Sequence, residues 1–177
     1  MVIKMKILIM SDIHGDYENL NNVLKNESFD KLIILGDLFS YGFNYNNKDE
    51  NNILKLLSNY KDAIILIKGN CDENINYEEF GLFAHDVISL HLNNHVVTLT
   101  HGNIYSKGFL PSYHGDIFVS GHTHVPMLLK EQGIIYLNPG SIGKPRGGLD
   151  KSYAIFEDNK IEIKTIEGQI IKEMKIN

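Results

Sequence analysis

The sequence predicts an α/β fold with two unlike halves. Over the first seventy residues, short unbroken apolar runs alternate with segments of helical spacing; beyond them, apolar runs come in pairs around short turns. The first run, Lys6-Ile7-Leu8-Ile9-Met10-Ser11, reads as a buried strand. Asp16 or Asp12 then opens a segment in which Leu20, Val23 and Leu24 share one helical face. Leu32-Ile33-Ile34-Leu35 is a second buried strand, and Ile53, Leu56 and Leu57 mark a second helix after the loop at 40–52. Ala63 to Ile67 gives the third strand. A β-α-β-α-β order favours a parallel sheet with right-handed crossovers.

The second half changes character, with hairpins and, at the end of the chain, antiparallel strands. Val87–Leu92 and His95–Thr100 flank Asn93-Asn94 as a hairpin, and Met127–Lys130 and Ile134–Leu137 flank Glu131-Gln132-Gly133 as another. Asp116–Ser120 is a short strand between them. Ser152–Phe156, Ile161–Ile166 and Ile170–Ile176 follow as strands separated by Asp158-Asn159 and Glu167-Gly168. No repeat or Pro-rich linker divides residues 1–177, so one domain is expected.

Composition narrows the function classes. With 43% hydrophobic residues in 177, the chain can bury one core. A formal net charge of -5 disfavours a nucleic-acid partner, but not a small phosphorylated substrate at a bound cation. The single cysteine, Cys71, rules out an internal disulfide and a cysteine-rich zinc site. The apolar opening is too short for a signal peptide or a membrane span, so a soluble, cytoplasmic protein is expected.

Five polar clusters each follow a strand: Asp12-Ile13-His14, Gly36-Asp37, Gly69-Asn70-Cys71-Asp72, His101-Gly102 and Gly121-His122-Thr123-His124. Ligands of open α/β sheets bind beyond the carboxyl ends of strands, where such loops converge. Carboxylates, imidazoles and an amide without thiolates suit Mn²⁺, Fe or Zn²⁺. Residues two apart on an extended backbone project to one side, so Asp12 and His14 are expected to reach one ion together. His122 and His124 would do the same unless a turn sends them to neighbouring ions. Asp37 can give one oxygen to each of two cations, the arrangement that clamps in-line displacement at phosphorus. Singly, Asp-x-His, Gly-Asp or a lone histidine is usually a loop, a turn or a satisfied core residue. It is their joint order that signals a site.

The blocks Asp-x-His, Gly-Asp, Gly-Asn-Cys-Asp, His-Gly and Gly-His-x-His resemble those of the calcineurin-like metallophosphoesterases, over residues 7–124 and on through Asn138-Pro139-Gly140-Ser141. The short length and the Gly-Asn-Cys-Asp form are similar to the small phosphodiesterases of the YfcE type. The resemblance implies a four-layer αββα sandwich, two mixed sheets flanked by helices. It also implies two divalent ions, Mn²⁺ foremost, with Fe, Zn²⁺ or Ni²⁺ as alternatives. Asp12, His14, Asp37 and His124 would hold one ion; Asp37, Asn70, His101 and His122 would hold the other, with a bridging hydroxide attacking a small phosphodiester. Asn70, Cys71, Asp72 and His101 are the candidates for the chemical step. Many relatives carry histidine where this chain has Cys71, which is open between a catalytic thiol and a small residue in a turn. Asp72 is expected to orient ligands rather than bind metal.

Phosphomonoester hydrolysis is the alternative activity. A non-catalytic scaffold, like the eukaryotic retromer subunit that resembles this fold with an impaired site, is the alternative class; it predicts lost ligands, and all are present. Homo-oligomerisation is left open. His85, His91, His95 and His114 read as surface or strand residues, and Asn138 to Ser141 as a turn, with closure of the substrate pocket as the second option. Lys144 and Arg146 read as a solvated loop or as phosphate contacts. Tyr41, Phe43 and Tyr45 read as packing, with stacking on a ring as the second option.

Overall fold

The computed structural model describes residues 5–92 and 94–176. In chain order the elements are β1 (Ile7–Met10), α1 (Tyr17–Asn26), β2 (Lys31–Ile34), α2 (Lys48–Ser58), β3 (Ile64–Ile67), a 3₁₀ turn (Tyr77–Phe80) and β4 (Ala84–His85). They continue with β5 (Val87–Leu92), β6 (His95–Thr100), β7 (Ile117–Val119), β8 (Met127–Glu131) and β9 (Ile134–Asn138), and end with β10 (Ser152–Glu157), β11 (Lys160–Thr165) and β12 (Ile170–Lys175). Asn93, the first residue of the expected hairpin turn, lies outside the described residues.

Two mixed sheets form. The first runs β12-β11-β10-β1-β2-β3-β4, with β1 to β4 parallel and β10 antiparallel to β1. The second runs β5-β6-β7-β9-β8, parallel at its centre and closed by a hairpin at each edge. Alternation along the strands explains the layering. Ile7, Ile9, Ile33, Ala154 and Phe156 face Val97, Leu99, Ile117, Val119, Ile135 and Leu137 between the sheets. Leu8, Met10, Leu32, Ile34 and Ile155 face the other way, onto Leu20, Val23, Leu24, Ile53, Leu54 and Leu57 of the helices. Both faces of β1 and β2 are therefore buried, which is why their sequences are unbroken apolar runs.

Asp16 is the cap that starts α1, its Oδ1 accepting from Asn19 N at 3.1 Å while Oδ2 accepts from Lys151 Nζ at 2.6 Å. Asn47 caps α2 through Asp49 N at 3.0 Å. Both α-helices lie on the first sheet. On the second sheet, Phe118 and Tyr136 lie on the face away from the core between the sheets and are buried, and Lys107 Nζ of the irregular stretch 102–116 sits 5.7 Å from the Tyr136 ring. Gly102, Gly108, Pro111 and Gly115 interrupt that stretch often enough to prevent a helix.

Candidate metal centre

The carboxyl ends of β1, β2, β3, β6 and β7 converge, and every sequence-predicted ligand lies in the loop that leaves one of them. Asp12, His14, Asp37 and His124 offer ligand atoms within 4.8 Å of one another; so do Asp37, His101 and His122. Asp37 belongs to both groups. Its Oδ1 lies 3.4 Å from His101 Nε2 and its Oδ2 lies 3.8 Å from His14 Nε2, so each oxygen faces a different group. Asn70 Oδ1 joins the second group at 3.1 Å from His101 Nε2.

The backbone corrects one expectation. Asp12 (φ 54°), His14 (φ 48°), Asp37 (φ 51°), His122 (φ 65°) and His124 (φ 61°) all adopt left-handed conformations. Asp12 and His14 thus reach one group from a coiled loop, not from an extended strand; fully buried Ile13 turns into the core between them. The same local reversal separates His122 from His124 and delivers them to different groups, as the turn alternative had it. Left-handed non-glycine residues cost of order 1–3 kcal/mol each in a strained setting and cluster at functional sites.

What holds them is dense. Asp12 N donates to Gly36 O and His14 N to Asp37 O, both at 3.0 Å. Gly36 (φ 90°) and Gly69 touch back to back, and a side chain on Gly69 would collide with the backbone and carboxylate of Asp37. Asp72 is buried and accepts from Leu38 N at 2.7 Å and Gly69 N at 2.8 Å, so both its oxygens tie the Asp37 and Asn70 loops together. Burial pushes its carboxyl up to about 6.

Two further residues brace the centre that the sequence reading had placed in an ordinary turn. Buried Asn138 donates to Gly121 O at 2.7 Å and Thr123 Oγ1 at 3.0 Å, shaping the His122–His124 reversal. Ser141 Oγ donates to Asp12 O at 2.8 Å, and Gly143 N does so at 3.0 Å. An Asn-Pro-Gly-Ser turn signals a bend but not what the bend grips. His95 is also more than a strand residue: its Nδ1 pairs with Asp116 Oδ2 at 2.5 Å, well away from the centre. His85 is exposed, and His114 Nδ1 bonds the neighbouring Gly115 carbonyl.

The donor set fits cations. His14 Nδ1 donates to Phe39 O at 3.2 Å, His101 Nδ1 to Leu35 O at 2.6 Å and His124 Nδ1 to Lys144 O. Those bonds leave each Nε2 lone pair aimed inward, as in oriented metal ligands. His14 Nε2 and His124 Nε2 then face each other at 3.2 Å, and Asp12 Oδ1 is buried with no hydrogen-bond donor among the described residues. Acceptors crowded on acceptors call for positive charge among them.

Electrostatics agree. Burial lowers the pKa of His14 and of His122, favouring the neutral imidazole that a metal ligand requires. Burial alone would raise Asp37, but His101 and the Cys71 amide outweigh it and hold the carboxyl at about 2. In return, Asp37 raises His101 against its own burial. Burial and the Asp37 carboxylate push the Cys71 thiol up to about 12, and its sulfur accepts from Asn70 Nδ2 at 3.2 Å.

Comparison with known proteins agrees with this geometry. Residues 5–160 match the model of the calcineurin-like phosphoesterase superfamily domain. The phosphodiesterase YfcE of Escherichia coli K12 is 29% identical over 187 residues, covering 98% of this chain and 99% of that protein. The solved structure of that E. coli phosphoesterase superposes with a TM-score of 0.82 at 26% identity, covering 98% of this chain and 100% of the other. Vacuolar protein sorting 29 from Cryptosporidium parvum shares the fold at a TM-score of 0.70 and 19% identity, over 97% and 98% of the two chains. With its ligand clusters in the family order at the ends of the family's strands, the chain belongs to the calcineurin-like phosphoesterase superfamily.

Proposed function

We propose that this protein is a phosphodiesterase that hydrolyses small phosphodiesters with two divalent cations, Mn²⁺ foremost. The observation that carries it is the pair of ligand groups sharing Asp37, one carboxylate oxygen toward each. Asp12, His14, Asp37 and His124 would hold one cation, and Asp37, Asn70, His101 and His122 the other. When bound, such a pair supplies Lewis acidity toward phosphoryl oxygens and lowers the pKa of water toward 7.

The chain's own groups set everything else. The Nδ1–carbonyl bonds fix the imidazole tautomers, and Asp72 fixes the relative position of the Asp37 and Asn70 loops. Lys144 and Arg146 stand at the rim, their charges acting on His14 and His122 respectively, where they can neutralise a diester's single negative charge. Cys71 stays a neutral thiol and is a poor proton donor to a departing alkoxide, so substrates with acidic leaving groups are favoured. The naming of a relative as a phosphodiesterase, at 29% identity over nearly the whole chain, supports the diester over the monoester.

The test is turnover of bis(p-nitrophenyl) phosphate and of p-nitrophenyl phosphate by metal-stripped protein reloaded with Mn²⁺, Fe²⁺, Zn²⁺ or Ni²⁺ in turn. The expected result is faster diester hydrolysis, highest with Mn²⁺. Faster monoester hydrolysis overturns the substrate class, and no turnover with any metal overturns the enzyme in favour of the scaffold.

A further inference from the structure

Residues 40–47 cross the rim of the metal centre between β2 and α2. Their backbone is pinned from below, with Gly42 N donating to Cys71 O and Phe43 N to Glu73 O, each at 2.9 Å. The three aromatic residues here behave differently. Phe43 is buried against Phe39 and Phe80, and Tyr45 leans edge-on against Phe43 at 4.6 Å. Tyr41 instead keeps 97% of its surface open to solvent. Exposure alone would mean little, because isolated surface aromatics are common.

The surroundings of Tyr41 supply the rest. It lines a cleft of about 400 Å³ together with His14, Ser40 and Gly42, so the cleft opens directly onto a metal-ligand histidine. Lys144 Nζ lies 5.9 Å from the Tyr41 ring centroid and donates to Ser40 Oγ at 2.6 Å. The carbonyl of the same Lys144 accepts from the ligand His124. One residue thus touches both the centre and the aromatic rim. The cleft lining is also acidic: Asp49 and Glu50 stand at the start of α2, with Glu50 Oε2 held by Asn44 N at 2.7 Å. A ring can lie on Tyr41 with its phosphoryl group toward Lys144 and the centre. A second anionic group in the cleft would meet carboxylates.

We infer that Tyr41 and Lys144 form a specificity subsite that selects phosphodiesters whose non-departing arm is a neutral planar ring. The inference rests on the phosphodiesterase reading above. Stacking of one flat group on an exposed aromatic side chain is worth on the order of tenfold in affinity or more.

The test uses metal-loaded full-length protein and phosphinates, whose carbon–phosphorus bonds are not hydrolysed. Calorimetry should give dibenzylphosphinate an affinity about tenfold above that of diethylphosphinate. Tyr41→Ala should bring that ratio to within about twofold, while Tyr41→Phe should preserve it. Lys144→Ala should weaken both ligands, and Lys144→Arg should restore both. Bis(4-carboxybenzyl)phosphinate should bind less tightly than dibenzylphosphinate in wild type, a deficit that Asp49→Asn relieves. In turnover, phenyl p-nitrophenyl phosphate should show a lower KM than methyl p-nitrophenyl phosphate, with the same dependence on Tyr41. A ratio that Tyr41→Ala leaves unchanged overturns the subsite, and equal binding of the carboxylated ligand overturns the neutral arm. If no diester is turned over, the phosphodiesterase reading falls while the phosphinate ratios still decide the subsite.

Discussion

Asp12, His14 and His124 have side chains at most 7% exposed, and both imidazoles are fixed on their far side by a backbone carbonyl, whereas Asn70 is exposed and His122 only half-buried. The ring of His122 meets His101 at 3.3 Å rather than a carbonyl. The two ligand groups share Asp37 but differ in what supports them. In the first, protein groups alone hold both imidazoles in place. In the second, His101 is just as firmly anchored, by Leu35 O at 2.6 Å, but Asn70 and His122 are more open and would rely on an ion to order them. Such an asymmetry predicts two unequal affinities in one centre.

The largest effect is expected where the groups meet. Asp37→Asn removes the charge that both share and should lower turnover on the order of 10³-fold, with metal content falling from two equivalents to one or none. Elemental analysis beside steady-state rates checks it, and near-normal turnover at saturating Mn²⁺ would break the shared-carboxylate picture.

A smaller effect sharpens the asymmetry itself. His122→Ala should lose the weaker equivalent and roughly 10²-fold of activity, while the tighter equivalent survives a chelator that strips it from His14→Ala. Metal titration followed by calorimetry distinguishes them. Identical loss of both equivalents in the two variants would mean that the halves are equal.

The smallest effect concerns Cys71, which lies beside the more open half. Because its thiol is held neutral, Cys71→Ala should lower turnover less than about fivefold, through Asn70, with metal content intact. Cys71→His should flatten the dependence of rate on leaving-group pKa, since assistance by a general acid is worth about 10²–10⁴-fold. Abolished activity in Cys71→Ala at full metal content would give the thiol a direct part.

The strands were legible because both faces of the inner ones are buried: Ile7 to Met10 and Leu32 to Leu35 leave no polar face to confuse the reading. The clustering of the candidate ligands was legible because each polar block directly follows a strand. Their backbone was not. A spacing of two residues is common to an extended chain and to the left-handed coil that Asp12 and His14 adopt, and only the bonds to Gly36, Asp37 and Ser141 choose between them. Nor did sequence separate Tyr41 from Phe43. Both are aromatic residues in one loop, and the packing that buries Phe43 comes from nearby Phe39 and from Phe80, which only the fold brings close.

The pairing of β1 with β10 has a consequence for synthesis. Ile7 lies opposite Phe156 and Ile9 opposite Ala154, so the strand that carries Asp12 has one of its two neighbours in the last quarter of the chain. On a ribosome the first three strands emerge early and can pair in parallel, yet β1 keeps an open apolar edge until β10 has left the exit tunnel. That long-range closure makes folding slow relative to helical proteins of the same length and leaves the nascent chain prone to mispairing at β1. The grip of Ser141 on Asp12 likewise spans 129 positions, so the candidate site takes its final shape only after residue 141 has joined it.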